Sequence, residues 1–532
     1  LYTLLLILMM LSAFQKEFGL FPETELSGDF KAAEQPHFTW EGWINSTYQN
    51  QLDLYLNDNN GFNPSLIRLN NQLDYSLFSY IHADGVVQGK GGQLFEYDYI
   101  RAYTGQDYIG EELIDKKMRR LKFLQDHLKD TLDIDLIFVL EPGKASFYPE
   151  FIPDRYLKHK NLVTNYSSIL RKANEYDISL VDLTAWFTKL KEEAAYPMYG
   201  QYGTHWSLFG MSHAADSLLN LIEDTRGIQL RKAGIDTFLV EETARTPDYD
   251  MASAMNLLFK LKDKVPLAYP EYRFEERQEN MDYPMVLVVG DSYYWNIFNT
   301  GIPKEIFANE AFWYFGNLVY PDYYFQPTFV DDLDIQAEVE KQDVILLMTT
   351  ERFLYKFDWK LIDELYSIYG ATSAFNKTYD YACQITRNDE WFERVSIKAA
   401  RKNIPLDEML HIDAKYIYGE QEPLNYAVYY GVSEVEERIR GDKDWLNNVA
   451  QKARERNTTL DLMIREDAEY ILSESSPEAY TIYVQIRDNM KTILNDSLLK
   501  NQTYRDAIYY RIDFDEMLFI KAEKMIEQSS RE

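Results

Sequence analysis

The sequence predicts an α/β domain with a parallel sheet, followed by an all-α domain of helical repeats. Short apolar runs alternate with charged helical segments up to about residue 370, such runs stop beyond residue 371, and a 54-residue repeat occupies the C-terminal part. At 532 residues the chain is too long for one compact core. We therefore expect an N-terminal segment and linker at 1–36, the α/β domain at 37–370 and the repeat domain at 371–532.

The composition limits the classes of function open to the chain. A net charge of −31 argues against nucleic acid as a partner and against charge-driven docking on anionic lipid. The single cysteine, Cys383, excludes an intramolecular disulfide framework and a multi-cysteine metal site. The seven histidines show no HExxH spacing, so no metal is expected. Without a Walker A sequence, or GxGxxG after a strand, no nucleotide cofactor is expected either.

The chain begins with an apolar run. "LYTLLLILMMLSAF" holds about fourteen nearly unbroken apolar residues before Lys16. A bilayer span needs about 20 residues, whereas the apolar region of a signal peptide needs about 7 to 15. We expect a signal anchor or signal peptide, with the rest of the chain periplasmic or in the cell envelope, tethered to the inner membrane or secreted. A buried core helix is the alternative.

Four apolar runs have the pattern of buried parallel strands. They are bounded by polar or turn residues and separated by helical segments such as "EELIDKKMRRLKFLQDHLKDT" and "NLVTNYSSILRKANEY". The runs are "DIDLIFVLEP", "ISLVDLTAW", "YPMVLVVGDS" and "KQDVILLMTTER". Strands that alternate with helices predict a parallel sheet with helices on both faces.

The C-terminal part repeats itself. Residues 385–417 align with residues 439–471 without a gap, with 13 of 33 positions identical, and a weaker third copy follows at twice the offset. Each unit reads as a helix, a short turn and a second helix, which predicts a stacked array of about three helical hairpins. The repeated Trp and Met positions are most simply core contacts. A protein ligand for the array is conceivable, but the sequence does not identify one.

The stretch "MVLVVGDSYYWNIF" (285–298) contains a candidate nucleophile. Gly290, Asp291 and Ser292 turn the chain between an apolar strand and an aromatic helix. A serine there lies at the carboxyl end of a parallel strand, where open α/β sheets bind ligands. The N–H groups at the helix N-terminus can stabilise an oxyanion. We expect Ser292 to be the nucleophile, with Gly290 and Asp291 supporting the turn. The alternative is that Asp291 and Ser292 only cap the helix.

A serine hydroxyl needs a base, which is usually histidine. In "GTHWS" (203–207), His205 lies on a loop just before a helical stretch. His213 lies eight residues further on, within the predicted helix, and is interpreted as structural. His205 is therefore the candidate base.

These stretches resemble the SGNH-hydrolase-like domain of the alginate O-acetyltransferases and their peptidoglycan- and cellulose-modifying relatives. "VVQGKGGQLFEYDYI" resembles that family's glycine-rich hairpin, "FVLEPGKASFYP" its first strand and Pro-x-Lys turn, and "MTTERFL" its last strand. The resemblance covers about residues 37–370. It implies that Ser292 accepts the acyl group and that His205 is the base.

One position departs from the family pattern. The family's orienting aspartate lies two residues before the histidine, where this chain has Gly203. A Ser–His dyad, a carboxylate from elsewhere or a domain that binds without turnover would each fit. Asp182 and Glu96 are the candidates for a replacement acid.

Other side chains near the two motifs are candidate ligand contacts. Lys144 in "EPGK" is interpreted as a solvated lysine at a strand end. Aromatic rings can stack on sugar faces, although some of these must be core: Trp206, Tyr202, Tyr293, Tyr294 and Trp295.

Two functions remain open from the sequence. The first is an O-acetyltransferase that moves an acetyl group through a serine acyl-enzyme to hydroxyls of an exported or cell-surface polysaccharide. By resemblance, a membrane-bound O-acyltransferase would supply the acetyl group, and acetylesterase activity is the same chemistry with water as acceptor. The second is a catalytically degenerate glycan-binding scaffold in a polysaccharide-modification complex.

Overall fold

The computed structural model describes residues 10–12, 14–28, 32–158, 160–373 and 377–529. The predicted signal anchor or signal peptide falls mostly on residues 1–9, outside the described residues, and stays a prediction. In the described ranges, no helix is long and apolar enough to cross a membrane.

Among the described residues, the strands form one six-stranded sheet and two antiparallel two-stranded ribbons. The sheet has the order β4-β3-β10-β7-β8-β9, while β1 pairs with β2 and β5 pairs with β6. The strand bounds are β1 Val86–Gln88, β2 Leu94–Glu96, β3 Asp135–Glu141, β4 Leu180–Asp182, β5 Ala233–Glu241, β6 Leu267–Phe274, β7 Val286–Gly290, β8 Phe312–Tyr314, β9 Leu318–Tyr320 and β10 Val344–Thr350.

The four apolar runs of the sequence form the parallel part of this sheet, as predicted. β4, β3, β10 and β7 are neighbours and pair in parallel. β8 continues the sheet in parallel, and β9 closes the edge antiparallel to β8. Carboxyl ends of parallel strands lie at one edge of a sheet, so residues after β3, β7 and β10 meet there.

Helices cover both faces of the sheet, which confirms the predicted fold class. Alternate residues of β3, β7 and β10 belong to two separate cores, one on each face. After the N-terminal helices α1 Trp40–Ile44, α2 Thr47–Asp58 and α3 Asn63–Phe78, the helices of this part are α4 Tyr97–Thr104, α5 Glu111–Leu132, α6 Lys144–Phe147, α7 Asp154–Leu157, α8 Asn165–Tyr176, α9 Leu183–Leu190, α10 Leu208–Arg226, α11 Asp250–Ala254, α12 Tyr294–Phe298, α13 Ile302–Ile306, α14 Ile335–Val339 and α15 Leu361–Tyr369.

The β5–β6 ribbon is an element that the sequence analysis did not anticipate. Most side chains of β5 are exposed, so this strand lacks the apolar run that marked the buried strands. The connection between the two strands contains α11.

The C-terminal region is all helical in its described residues. Its helices are α16 Lys377–Arg387, α17 Asp389–Lys402, α18 Leu406–Gln421, α19 Pro423–Gly441, α20 Lys443–Glu455, α21 Leu460–Ser475, α22 Pro477–Asn495, α23 Ser497–Tyr510 and α24 Phe514–Ser529. The predicted hairpins are present as α17–α18, α20–α21 and α23–α24. A further helix precedes each hairpin, so the 54-residue unit has three helices rather than the two predicted.

The first repeat is continuous with the α/β domain. Side chains of α16, α17 and α18 share one hydrophobic core with α5 and α15, whereas the later helices have a core of their own. Residues on the two sides of the predicted boundary near residue 371 therefore pack in the same core.

Candidate active site

The turn after β7 holds Ser292 at the carboxyl edge of the sheet. The buried carboxylate of Asp291 accepts hydrogen bonds from the Tyr293 N–H at 3.0 Å and from the Thr350 N–H and hydroxyl at 2.9 and 2.8 Å. It therefore ties the turn to the end of β10. A Cβ on Gly290 would lie 3.0 Å from that of Met348, so the close approach of β7 and β10 favours glycine. Asp291 and Gly290 thus shape the turn, as expected.

The structure brings His205 and Ser292 together. His205 Nε2 lies 2.8 Å from Ser292 Oγ, and the imidazole side chain is 17% exposed. The Tyr293 hydroxyl donates to the Thr204 carbonyl at 3.1 Å, which connects the histidine loop to the nucleophile turn. A serine hydroxyl directed at an imidazole nitrogen is the arrangement that nucleophilic catalysis requires.

Asp250 is the acid that meets the far nitrogen of His205. Its Oδ2 lies 2.8 Å from His205 Nδ1, while its Oδ1 accepts from the backbone N–H groups of Thr204 and Met251 at 2.8 and 2.7 Å. With Nδ1–H donating to Asp250, Nε2 is free to accept the Ser292 proton. The three side chains form a Ser–His–Asp triad.

The two replacement acids expected from the sequence were wrong. Asp182 caps α9 through the Ala185 N–H and accepts from the Tyr166 hydroxyl. Glu96 forms an ion pair with Arg352. Both carboxylates are committed to these partners, and neither contacts His205.

Packing explains why position 203 is glycine. A Cβ there would lie 2.8 Å from the backbone carbonyl carbon and oxygen of Asp248. The segment that carries Asp250 therefore occupies the space that an aspartate at 203 would need. Glycine at 203 therefore makes room for the segment whose Asp250 contacts His205.

Lys144 is buried rather than solvated, which corrects the sequence interpretation. Its ammonium donates to the carbonyls of Gly200, Gln201 and Gly203 at 2.7, 3.1 and 2.7 Å. Burial lowers its pKa to about 7. Lys144 holds the loop that leads into His205, because three successive or near-successive carbonyls converge on one donor.

The aromatic side chains proposed as glycan contacts are mostly core. Trp206, Tyr202, Tyr293 and Tyr294 are each at most 7% exposed, so their faces are not open to a sugar. Trp206 packs against Phe187 and Tyr293. Trp295 is only half-buried and contacts Tyr320 and Tyr324, the latter 61% exposed.

A second carboxyl group lies behind the nucleophile turn. Glu141, at the end of β3, is fully buried, and neither of its carboxyl oxygens has a hydrogen-bond partner among the described residues. Burial and the Asp291 charge raise the pKa of Glu141 well above its usual value. Burial without a hydrogen-bond partner favours the neutral acid over the carboxylate.

Comparison with known families finds a similarity over part of the α/β domain. Residues 86–299, which are 214 of the 532 residues, match the family described as ALGX, the SGNH hydrolase-like domain of acetyltransferase AlgX. The resemblance stated from the sequence is thereby confirmed for this part of the chain. The helical repeats lie outside the match. Among curated proteins, none matches the chain.

Three solved structures are similar to parts of this chain. They are the O-acetyltransferase domain of Pseudomonas putida AlgJ (18% identity, TM-score 0.34, 53% of this chain and 99% of that chain), Pseudomonas aeruginosa AlgX (16%, 0.30, 51% and 57%) and Bacillus cereus PatB1 with a sulfonyl adduct (12%, 0.33, 52% and 96%).

Proposed function

We propose that this chain is a serine-dependent O-acetyltransferase that acts on hydroxyl groups of an exported or cell-surface polysaccharide. The observation that carries the proposal is the continuous hydrogen-bonded chain from Ser292 through His205 to Asp250. The match of residues 86–299 to an acetyltransferase domain supports the choice of acyl group.

In the first half-reaction, Ser292 takes the acetyl group. Its Oγ attacks the acetyl carbonyl carbon while His205 Nε2 removes the hydroxyl proton, and Asp250 stabilises the imidazolium that forms. The Ser292 backbone N–H, next to the N-terminus of α12, is our candidate oxyanion donor. Collapse of the tetrahedral intermediate breaks the bond to the donor oxygen, which receives the proton from His205, and leaves acetyl-Ser292.

In the second half-reaction, a sugar hydroxyl attacks acetyl-Ser292. His205 takes the hydroxyl proton and returns it to Ser292 Oγ as the ester to the enzyme breaks. The product is the sugar acetate, and the enzyme is restored. Water in place of the sugar gives acetylesterase activity by the same steps.

The scaffold alternative depended on Gly203 as a sign of a lost orienting acid. Because Asp250 contacts His205 Nδ1, Gly203 no longer favours that alternative.

The compartment and the partners are further parts of the proposal. We assign the chain to the periplasm or cell envelope, held at the inner membrane by its apolar N-terminal run or secreted if that run is removed. Acetyl-CoA is not found there, so a membrane-bound O-acyltransferase would deliver the acetyl group. The polysaccharide is the acceptor, and the helical repeats are free to bind a protein partner.

Acetyl transfer to a sugar tests the proposal directly. The chain is incubated with p-nitrophenyl acetate and neutral oligosaccharides, and the products are analysed by mass spectrometry. We expect acetylated oligosaccharide with the native chain and none above background with Ser292→Ala. Acetate as the sole product would support an esterase, and equal products from the Ser292→Ala chain would refute serine dependence.

A further inference from the structure

The N-terminal part of the chain exposes an unusual amount of apolar surface. Among the described residues, residues 10–80 supply 18 of the 40 large apolar side chains most open to solvent. Large exposed apolar surfaces on globular proteins indicate contact with a partner or a membrane. This surface lies before the SGNH-like match at residue 86 and takes no part in the proposed chemistry.

Helix α3 presents a complete apolar stripe outward. Leu66, Leu69, Leu73 and Leu77 recur at spacings of three and four residues, so they share one face of the helix. They are 52%, 43%, 50% and 68% exposed. Amphipathic helices normally bury such a stripe, whereas here it faces out.

The opposite face of α3 fixes the helix to the domain. Asn71 is buried and donates to the Met255 carbonyl at 3.0 Å, and Tyr75 packs against the apolar cluster that contains Met251 and Tyr249. Helix α3 is therefore packed onto the domain, and its leucine stripe is exposed in the folded chain. Its outward orientation is set by polar and apolar contacts with the segment that carries Asp250.

Aromatic residues extend the surface beyond α3. Phe38, Trp40, Trp43 and Tyr48 form one ring cluster, with centroid distances from 5.2 to 6.2 Å. Trp40 is 73% exposed and Ile44 is 80% exposed. Tryptophan and tyrosine are the residues preferred at the boundary between lipid and water.

The chain itself indicates what covers this surface. Helical residues 10–12 and 14–18 pack on the α2–α3 turn, where the Ser12 hydroxyl bonds Asn60, and Phe21 contacts Phe62. The described part of the chain therefore begins beside this surface, at residue 10, and the apolar run precedes it in sequence. If that run enters a bilayer, the surface beside it lies at the bilayer face.

The charge of the surface also bears on which lipids it would bind. Residues 32–89 contain one basic side chain, Arg68, against six carboxylates. The guanidinium of Arg68 already donates to the carbonyls of Thr24 and Glu25. Lys16 lies over the Tyr55 ring at this surface, but the carboxylates outnumber the two cations. We therefore expect apolar burial, rather than attraction to anionic headgroups, to provide the binding.

We propose that residues 38–78 form a membrane-interface surface, with the α3 leucine stripe and the aromatic cluster inserted into the headgroup region of a phospholipid bilayer. The occupant is lipid rather than a second protein or a second copy of this chain. Since α3 contacts the Asp250 segment on its other face, this docking would also hold the catalytic edge at a fixed distance from the membrane. The inference does not depend on acetyl transfer.

Site-specific fluorescence tests this in the full chain. A Cys383→Ala chain carries either Leu77→Cys or Leu498→Cys, which are 68% and 69% exposed and so are matched in accessibility. Each is labelled with an environment-sensitive nitrobenzoxadiazole probe and added to phosphatidylcholine vesicles, with and without doxyl-labelled lipid. We expect a blue shift and lipid quenching at position 77 and neither at position 498.

A second pair of measurements distinguishes insertion of the α3 stripe from vesicle binding through the N-terminal apolar run. Leu69→Gln with Leu73→Gln is expected to reduce quenching at position 77 while the chain stays bound to vesicles and keeps its thermal transition. Addition of phosphatidylglycerol is expected not to increase the shift, because carboxylates outnumber cations on the surface.

Several outcomes would overturn the proposal. A vesicle-bound chain with no lipid quenching at position 77, or with equal quenching at position 498, contradicts a lipid-inserted stripe. A blue shift that depends on protein concentration and needs no vesicles indicates a second copy. A shift seen only in membranes that contain protein indicates a protein partner, and a requirement for anionic lipid indicates docking by charge.

Discussion

Asp250 completes the triad from a segment far from the other two residues in sequence. Asp250 is the first residue of α11, and its carboxylate contacts His205 Nδ1 while two backbone N–H groups fix the other oxygen. Replacement by asparagine keeps the shape but can hold the imidazole in the wrong tautomer. In a serine protease triad that change lowers kcat by about 10⁴-fold.

We therefore expect Asp250→Asn to lower the rate of acyl-enzyme formation strongly, by up to about 10⁴-fold, with little change in KM. Stopped-flow release of p-nitrophenol measures this step. Asp182→Asn is the matched control, because Asp182 only caps α9 and contacts Tyr166. Similar rates for Asp250→Asn and the native chain would remove Asp250 from the mechanism.

Glu141 gives a second prediction, on stability against pH. Its folded pKa is raised, so the native state keeps a proton that the unfolded chain releases above its usual pKa of 4.5. Stability therefore falls as pH rises above that value, by about 1.4 kcal/mol per pH unit for one proton. Glu141→Gln has no proton to lose.

Urea unfolding at several pH values between about 5 and 8 checks this prediction. The decline in unfolding free energy with pH should be shallower in Glu141→Gln than in the native chain. Glu390→Gln, at a side chain that is 83% exposed, serves as the control and should keep the native slope. Parallel slopes for all three chains would mean that Glu141 is ionised in the fold.

The sequence was sufficient for two residues of the site and insufficient for the third. Ser292 and His205 each lie in a local motif, at a strand end and before a helix, so their chemistry is visible in a few letters. Asp250 lies in the connection between β5 and β6, with no recognisable motif around it, and it is 45 residues from His205. The sequence feature connected with Asp250 is Gly203, because the absence of a side chain there makes room for the segment that carries Asp250.

Among the elements, the repeats conserve an ion pair within each hairpin. Lys398 pairs with Asp413, and Lys452 pairs with Asp467 at 2.8 Å. At the same positions of the third unit the signs are exchanged, with Asp506 paired to Lys521 at 2.7 Å. The interaction is kept while its polarity reverses, which indicates that the charge contact itself matters to the hairpin.

Exchange of the pair in the second repeat should therefore be tolerated. Lys452→Asp alone brings two carboxylates together and should destabilise the chain, while addition of Asp467→Lys should restore most of the loss. The coupling expected for such a partly exposed pair is about 0.2–1 kcal/mol. Thermal unfolding of the two single variants and the double variant measures it, and additive effects would contradict the assignment.

The periodic patterns of the sequence predicted the secondary-structure elements that have a regular apolar spacing. Apolar runs identified the four parallel strands, and the 54-residue period identified the hairpins. The third helix of each unit was missed because it lies outside the most similar stretch. β5 was missed because a mostly exposed strand shows no continuous apolar run, and β6 because only its first three residues are buried.

Over the whole molecule, the repeats and the α/β domain are joined by buried charges as well as by a shared core. Lys117 on α5 contacts Asp358 at 2.9 Å, with the side chains 1% and 0% exposed. Arg387 on α16 contacts the same carboxylate at 3.3 Å. Arg511 after α23 reaches back to Asp126 on α5. Both ends of the array therefore contact one helix of the sheet domain.

We expect the described chain to unfold in one cooperative transition rather than one for each region. Lys117→Met should shift that whole transition and lower stability by about 3 kcal/mol, the lower end for a broken buried pair, since Arg387 still contacts Asp358. Lys398→Met, in a pair with one side chain 46% exposed, should cost less than about 1 kcal/mol. Calorimetry that shows two separate peaks would contradict a shared core.

The central claim is that Ser292, served by His205 and Asp250, carries the acetyl group. The most direct measurement is peptide mass spectrometry of the chain after brief exposure to p-nitrophenyl acetate, beside Ser292→Ala, His205→Ala and Asp250→Asn. The account predicts an acetyl adduct on the peptide that contains Ser292, absent in Ser292→Ala and formed more slowly in the other two. No adduct on that peptide, or equal labelling in all four chains, would contradict it.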